Sequence, residues 1–264
     1  MRITYIGHAT LLLEVAGARI LTDPNFDSHL GRILRRVTAP GIALDALPKL
    51  DALLLTHAHA DHLSFASLAK LPRDIPLFAP PAVARWLDSK GYRHAEPIEP
   101  GAVFTLAGGR IRIHAEQATH QGNRYGFDRW RSATNMYLVE TQDESLFFAG
   151  DTALTPLTHA LVERVLWTAG RALDVALLPI GYAPPWKPGF RRGHLTHDDA
   201  LVLFETLRAR ALIPYHWGTF RHVTASAHDA INRLRDLLAT HAAKGQVHII
   251  EPGESMVVPP LPRA

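Results

Sequence analysis

Not one of the 264 residues is a cysteine. That absence excludes a disulfide scaffold, a thiolate nucleophile, a cysteine-ligated zinc site and an iron–sulfur cluster. Long apolar runs are missing as well; none approaches the roughly 18 residues that would span a bilayer. The opening MRITYIGHATLLLEVAG lacks the apolar core and small-residue cleavage site of a secretory signal. The expectation is a cytoplasmic protein with no integral membrane segment. Charge of one sign is scarce: 28 Lys and Arg face 25 Asp and Glu, a formal +3. A nucleic-acid binder more often concentrates a basic face. Arg32, Arg35 and Arg36 form one small basic cluster and Arg191 with Arg192 another. Each reads as solvated surface or, alternatively, as a phosphate-binding rim. Tandem repeats, low-complexity segments and Gly/Ser/Pro-rich linkers are also absent, so residues 1–264 read as one domain.

Core-forming residues, by contrast, are plentiful. Apolar residues make up 47% of the chain, and a chain this long buries about three quarters of its unfolded surface. Residues 2–6, 10–15 and 19–22 are short β-rich runs turned at Gly17. Residues 27–50 read as an irregular excursion with a short helix. Residues 51–56 (DALLLT) form an apolar run without alternation, the pattern of a buried strand. Ser64 is placed to cap a helix through Leu71, and 81–90 is a second helix stopped by Gly91. Residues 103–106 and 110–116 flank Gly108-Gly109 as a hairpin, and 133–140 with 144–149 form another. Helices are expected over 157–168, 196–208 and 225–241, and strands over 174–179, 211–214, 247–250 and 255–258. The closing PPLPR reads as a loose tail. An opening meander rather than βαβ units argues against a doubly wound parallel sheet, and for sheets packed together with helices outside.

The unusual feature is histidine, 16 in all, and above all their placement. His57-Ala58-His59-Ala60-Asp61-His62 directly follows the 51–56 strand and precedes a capped helix. Imidazole and carboxylate are the natural ligands of zinc and related divalent ions. A loop leaving a strand end can direct His57 and His59 to one ion and Asp61 and His62 to a second. His120, Asp151 and His216 each follow a predicted strand, so all three can gather along one edge of the sheets. Gly150 permits a close backbone approach beside Asp151.

THAHADH, His120, the GDT at Asp151 and then His216 resemble the metallo-β-lactamase superfamily. GHATLLLE…LTDP, RVTAPGIALDALPKLDALLLTHAHADH and HWGTF resemble one branch of it. That branch contains L-ascorbate-6-phosphate lactonase and N-acyl phosphatidylethanolamine phospholipase D, and the likeness is closer to the phospholipase type. It runs from residue 1 to about residue 221. The resemblance implies a mixed α/β fold, a four-layer αββα sandwich with its site at one edge of the two sheets. It implies that His57, His59 and His120 bind a first ion, that Asp61, His62 and His216 bind a second, and that Asp151 bridges them. It also puts His194 near the substrate, while His197 has no assignable family role.

The activity these residues imply is hydrolysis by a hydroxide bridging two divalent ions, zinc by default with manganese or iron as options. Asp61 would orient the hydroxide, and His194 would stabilise the anionic intermediate or protonate the leaving group. Asp23 and His8, at the ends of early strands, are placed to sit beneath the ions as partners of their ligands. Tyr125, Phe127 and Trp130 would wall the pocket, Arg124 would pair with an anion, and residues 182–192 would border the mouth. The expected substrate is a small anionic molecule, a phosphodiester or a phosphorylated ester or lactone. The alternatives are a lactone or carboxylic ester hydrolase, a metallo-nuclease, and a non-catalytic metal-binding sensor.

Overall fold

The computed structural model describes residues 1–31, 34–92, 95–124, 132–181, 189–221 and 226–259. In chain order the strands are β1 (Arg2–Gly7), β2 (Thr10–Val15), β3 (Ala18–Thr22), β4 (His29–Leu30), β5 (Leu34–Arg35) and β6 (Ala52–Leu54). Helix α1 (Phe65–Leu68), β7 (Leu77–Ala79), α2 (Pro81–Asp88) and β8 (Ala95–Pro97) follow. Then come β9 (Val103–Leu106), β10 (Ile111–Gln117), β11 (Asn135–Glu140), β12 (Ser145–Phe148) and α3 (Pro156–Val165). The chain continues through β13 (Val175–Pro179), α4 (His197–Leu207), β14 (Ala211–Tyr215), α5 (Asp229–Leu238) and β15 (Ser255–Val257).

Two large sheets result. One has the order β15-β1-β2-β3-β6-β7-β8 and the other β14-β13-β12-β11-β10-β9, with β4 and β5 as a separate small ribbon. The inner faces of both sheets share one apolar core, in which Tyr5, Leu11, Ile20, Tyr137, Phe147 and Leu177 are fully buried. Helices α3, α4 and α5 add Leu161, Phe204 and Leu234 to that core from outside the second sheet. Val83, Ala84, Trp86 and Leu87 on α2, with Leu68 of α1, pack on the outer face of the first sheet. Each such large side chain contributes about 1.5–3 kcal/mol on burial. The layers are therefore helix, sheet, sheet, helix, the αββα sandwich expected.

Strand direction decides where the site lies. β2 runs antiparallel to both β1 and β3, and β3 runs parallel to β6. Thus β1, β3 and β6 point the same way and end at one edge. In the second sheet β11 is antiparallel to β10 and β12, while β12, β13 and β14 are parallel. Hence β10, β12 and β14 also end together. The residues just past these six ends are His8, Asp23, the 57–62 segment, the segment through His120, Asp151 and His216.

Ser64 caps α1, its Oγ accepting from the Ser67 N–H at 3.0 Å, but the helix ends at Leu68 rather than Leu71. The expected 225–241 helix is shorter, Asp229–Leu238. The 247–250 strand does not form; Val247 makes only a bridge to Leu212. Strands β7 and β8 were not expected. Each has three residues, and Pro76 and Pro80 flank β7, so neither is long enough to show a period. Pro260 to Arg263 of the PPLPR tail lie outside the described residues.

Candidate metal centre

All seven expected ligands converge at this edge. His57, His59, His120 and Asp151 offer ligand atoms within 4.8 Å of one another, and so do His8, Asp61, His62 and His216. Asp151 stands between the groups: its Oδ2 lies 3.4 Å from His62 Nε2 and 3.9 Å from His120 Nε2, and its Oδ1 lies 3.4 Å from His216 Nε2. His59 Nδ1 and His120 Nε2 are 3.1 Å apart.

A chain of hydrogen bonds beneath the site sets which ring nitrogens are free. The Asp23 carboxylate accepts from Thr56 N–H at 2.7 Å and from Thr56 Oγ1 at 2.6 Å. The threonine proton is thereby used, so His57 Nδ1, 2.9 Å from the same oxygen, donates to it. His62 Nδ1 donates to Asp23 Oδ2 at 2.7 Å, and His120 Nδ1 donates to the Gly193 carbonyl at 2.6 Å. The Nε2 lone pairs of His57, His62 and His120 are left facing the cavity. His57 Nε2, His62 Nε2 and His216 Nε2 are buried without a hydrogen-bond partner, which is costly unless something fills the space between them.

Electrostatics agree with a cation there. Burial lowers the pKa of His57 well below the ordinary histidine value, and brings His120 to about 3, favouring neutral rings that can donate lone pairs. Burial would raise Asp61 and Asp151, but His62 and His216 hold both carboxyls well below their usual range. Burial alone would lower His62; Asp151, Asp61 and Asp23 around it push it well above instead, so this point calls for positive charge. Neutral imidazoles, ionised carboxylates and partnerless inward nitrogens fit divalent ions.

The backbone is shaped for this. His8, Asp23 and His216 have φ of 57°, 33° and 71°, and Gly150 has φ of 58°. Positive φ at non-glycine residues costs about 1–3 kcal/mol each and tends to collect at functional sites. A Cβ on Gly150 would come within 2.8 Å of Thr56 Cβ.

His194 reaches the same edge. Its Nε2 is 3.7 Å from Asp151 Oδ2, its ring stacks on Phe190 at 4.6 Å, and it stays partly open to solvent. His197 starts α4 and joins neither donor group. Asp23 lies under His62 as its hydrogen-bond partner, and His8, within reach of the second donor group, meets Asp61 Oδ2 at 2.9 Å. One expectation is corrected. Arg124 is not an anion hook: its Nη1 donates to the carbonyls of Ala58 at 3.0 Å and Leu63 at 2.6 Å, clasping the ligand loop. Arg191 is a half-exposed surface residue, in line with the solvated-surface alternative: it pairs with Asp198 at 2.7 Å and Asp199 at 2.5 Å. Arg36 likewise serves the fold, donating to the carbonyls of Asp27 and Asn25. Arg32, Tyr125, Phe127, Trp130 and residues 182–188 lie outside the described residues. The roles of Thr56 and the Gly193 carbonyl were not expected. Thr56 opens the THAHADH motif and was open to notice, while nothing local marks Gly193.

Fold and donor chemistry together define a class, a metal-dependent hydrolase on a two-sheet sandwich. The chain belongs to the β-lactamase superfamily domain family, whose profile matches residues 18–217. A UPF0173 metal-dependent hydrolase of Nitratidesulfovibrio vulgaris is 30% identical over 264 residues, covering 97% of this chain and 95% of that protein. N-acyl-phosphatidylethanolamine-hydrolyzing phospholipase D 1 of Caenorhabditis elegans is 28% identical over 234 residues, 82% of this chain but only 64% of the relative. Among solved structures, isothiocyanate hydrolase from Delia radicum gut bacteria superposes with a TM-score of 0.78 at 20% identity, covering 98% and 99% of the two chains. Among the described residues no helix is long and apolar enough to cross a membrane.

Proposed function

We propose that the protein is a dinuclear hydrolase of phosphodiesters or of phosphorylated esters or lactones. His57, His59 and His120 would hold one ion, Asp61, His62 and His216 the other, and Asp151 would serve both. The position of Asp151 carries this reading, since its Oδ2 lies 3.9 Å from His120 Nε2 of one group while its Oδ2 and Oδ1 lie 3.4 Å from His62 and His216 Nε2 of the other. Two divalent ions there supply Lewis acidity, lowering the pKa of water towards neutrality and polarising an ester or phosphoryl oxygen. Zinc is the default for a histidine–aspartate donor set.

The chain's own residues do the rest. Asp23 and Thr56 keep the protons of His57 and His62 on Nδ1, so their Nε2 atoms stay available. The Asp61 carboxylate, held ionised by its histidine neighbours, accepts a hydrogen bond from the attacking water and orients it. His194 directs Nδ1 to the Phe190 carbonyl, 3.3 Å away, and turns Nε2 to the site. With a second proton on Nε2, as the imidazolium, it would hydrogen-bond the anionic oxygen of the scissile group or pass that proton to the leaving oxygen; the neutral ring offers only a lone pair there. The phosphodiester preference is supported by the phospholipase D relative, whose named substrate is a phosphodiester. The engagement of Arg124 and Arg191 within the protein favours a second reading, a lactone or carboxylic ester hydrolase.

Metal analysis of protein purified without added metal, paired with bis-p-nitrophenyl phosphate turnover, tests the proposal. About two ions per chain, with turnover abolished in Asp61→Ala, is the expected result. Two ions without phosphodiester turnover would shift the substrate to lactones and esters. No bound ion after reconstitution would overturn the proposal.

A further inference from the structure

His8 keeps a different spacing from its neighbours. Donors sharing one ion at bonds of about 2.0–2.2 Å in near-tetrahedral geometry stand about 3.4 Å apart. The pairs His62–Asp151 and His216–Asp151 at 3.4 Å, and His216 Nε2–Asp61 Oδ2 at 3.7 Å, keep that separation. His8 Nε2 lies 2.9 Å from Asp61 Oδ2, a hydrogen-bond distance.

His8 itself is fixed from every side. Its backbone N–H donates to Thr219 Oγ1 at 2.7 Å, and its carbonyl accepts from the His216 N–H at 2.9 Å. Its ring lies 3.8 Å from the His216 ring and meets the Phe220 ring edge-on at 5.2 Å. Arg36 sits over the Phe220 ring, 4.7 Å from its centroid. The residue is buried and adopts a φ of 57° that histidine seldom takes. So many constraints on one side chain, ending in one short contact to Asp61, mark a part whose position matters.

We propose that His8 is a positioning residue: its Nε2–H donates to Asp61 Oδ2 and holds that carboxylate in register with His216 for the second ion. This rests on the two-ion reading above. The device joins three distant stretches, the β1–β2 turn, the ligand loop and the segment after β14, into one rigid wall. It acts through Asp61 and does not itself touch the reacting atoms.

Stepwise Co²⁺ titration of the metal-free full-length protein, followed by visible d–d absorption, reads the second binding step without any assay of activity. His8→Phe keeps a ring between His216 and Phe220 but has no donor; His8→Gln restores an N–H. The Phe variant is expected to bind the first ion as wild type does and the second about 10–100-fold more weakly. The Gln variant is expected to recover most of the loss. His8→Gly, which accepts the positive φ, makes the same comparison if the Phe variant does not fold. Wild-type second-ion affinity in a variant without a donor, or no recovery in the Gln variant, overturns the proposal. Fewer than two ions bound by wild type overturns the two-ion reading first, and this role with it.

Discussion

Thr56 Oγ1 stands 2.6 Å from Asp23 Oδ2 and 2.9 Å from His57 Nδ1, so one hydroxyl fixes a carboxylate and an imidazole together. Thr56→Val keeps the shape and removes the hydroxyl. It leaves His57 Nδ1 without an acceptor in a fully buried position. The expected cost is about 1–3 kcal/mol in denaturant unfolding, with metal affinity lower by about 10–100-fold. Thr56→Ser, which keeps the oxygen, is expected to stay close to wild type on both measurements.

Gly150 carries Asp151 to the point between the two donor groups. Gly150→Ala puts a methyl 2.8 Å from Thr56 Cβ and 3.1 Å from the Asn135 carbonyl, at a φ of 58°. Neither neighbour can swing away, since both belong to packed strand ends. A loss of about 2–4 kcal/mol is expected from overpacking plus strain. Metal content should fall with it, read by mass spectrometry on the folded fraction.

Arg124 binds the Ala58 and Leu63 carbonyls, and its guanidinium lies over Phe65 and Trp86 at 5.4 and 5.8 Å. Arg124→Ala frees the loop that carries His59, Asp61 and His62. The fall in kcat/KM is expected to be equal for a phosphodiester and a neutral ester. A loss confined to the anionic substrate would show instead that Arg124 meets the substrate.

Burial pushes the Asp198 carboxyl up, but Arg191 and Thr196 together outweigh it and bring its pKa to about 2. This folded value lies below the ordinary aspartate value of about 3.9. The pair therefore adds stability above about pH 4 and loses it as the pH falls towards 2. Asp198 is 44% exposed, so the contribution stays below about 1 kcal/mol. In Arg191→Ala the Asp198 pKa, followed by NMR, should return towards the ordinary range while KM for a phosphodiester stays unchanged.

The parts of the fold legible in the sequence were those governed by local rules. Gly108-Gly109 announced the β9–β10 turn, and Ser64 announced the start of α1. That the histidine and aspartate donors would gather at one place was legible because each follows a strand, and strands ending at one edge need only a consistent direction. Non-local partners were not. Arg124 reaches carbonyls 66 and 61 residues away, and a sequence shows an arginine without showing what it holds. Arg191 is the instructive exception, because its partners Asp198 and Asp199 are near in the chain, at the start of α4. The expected 225–241 helix was too long because its apolar period, at Ala230, Ile231, Leu234 and Leu238, belongs only to the part that packs.

His59 and His120 meet at 3.1 Å although 61 residues separate them along the chain, and they come from opposite sheets. A common ion would tie the layers as a disulfide ties two strands of a secreted protein. Closing a loop of that length restricts the unfolded chain by about 4 kcal/mol in the chain-entropy view. A protein without a single cysteine would thus carry a cross-link of its own, made of imidazole. Such a link would need no thiol oxidation and would answer to metal supply, opening under a chelator and closing again when ions return.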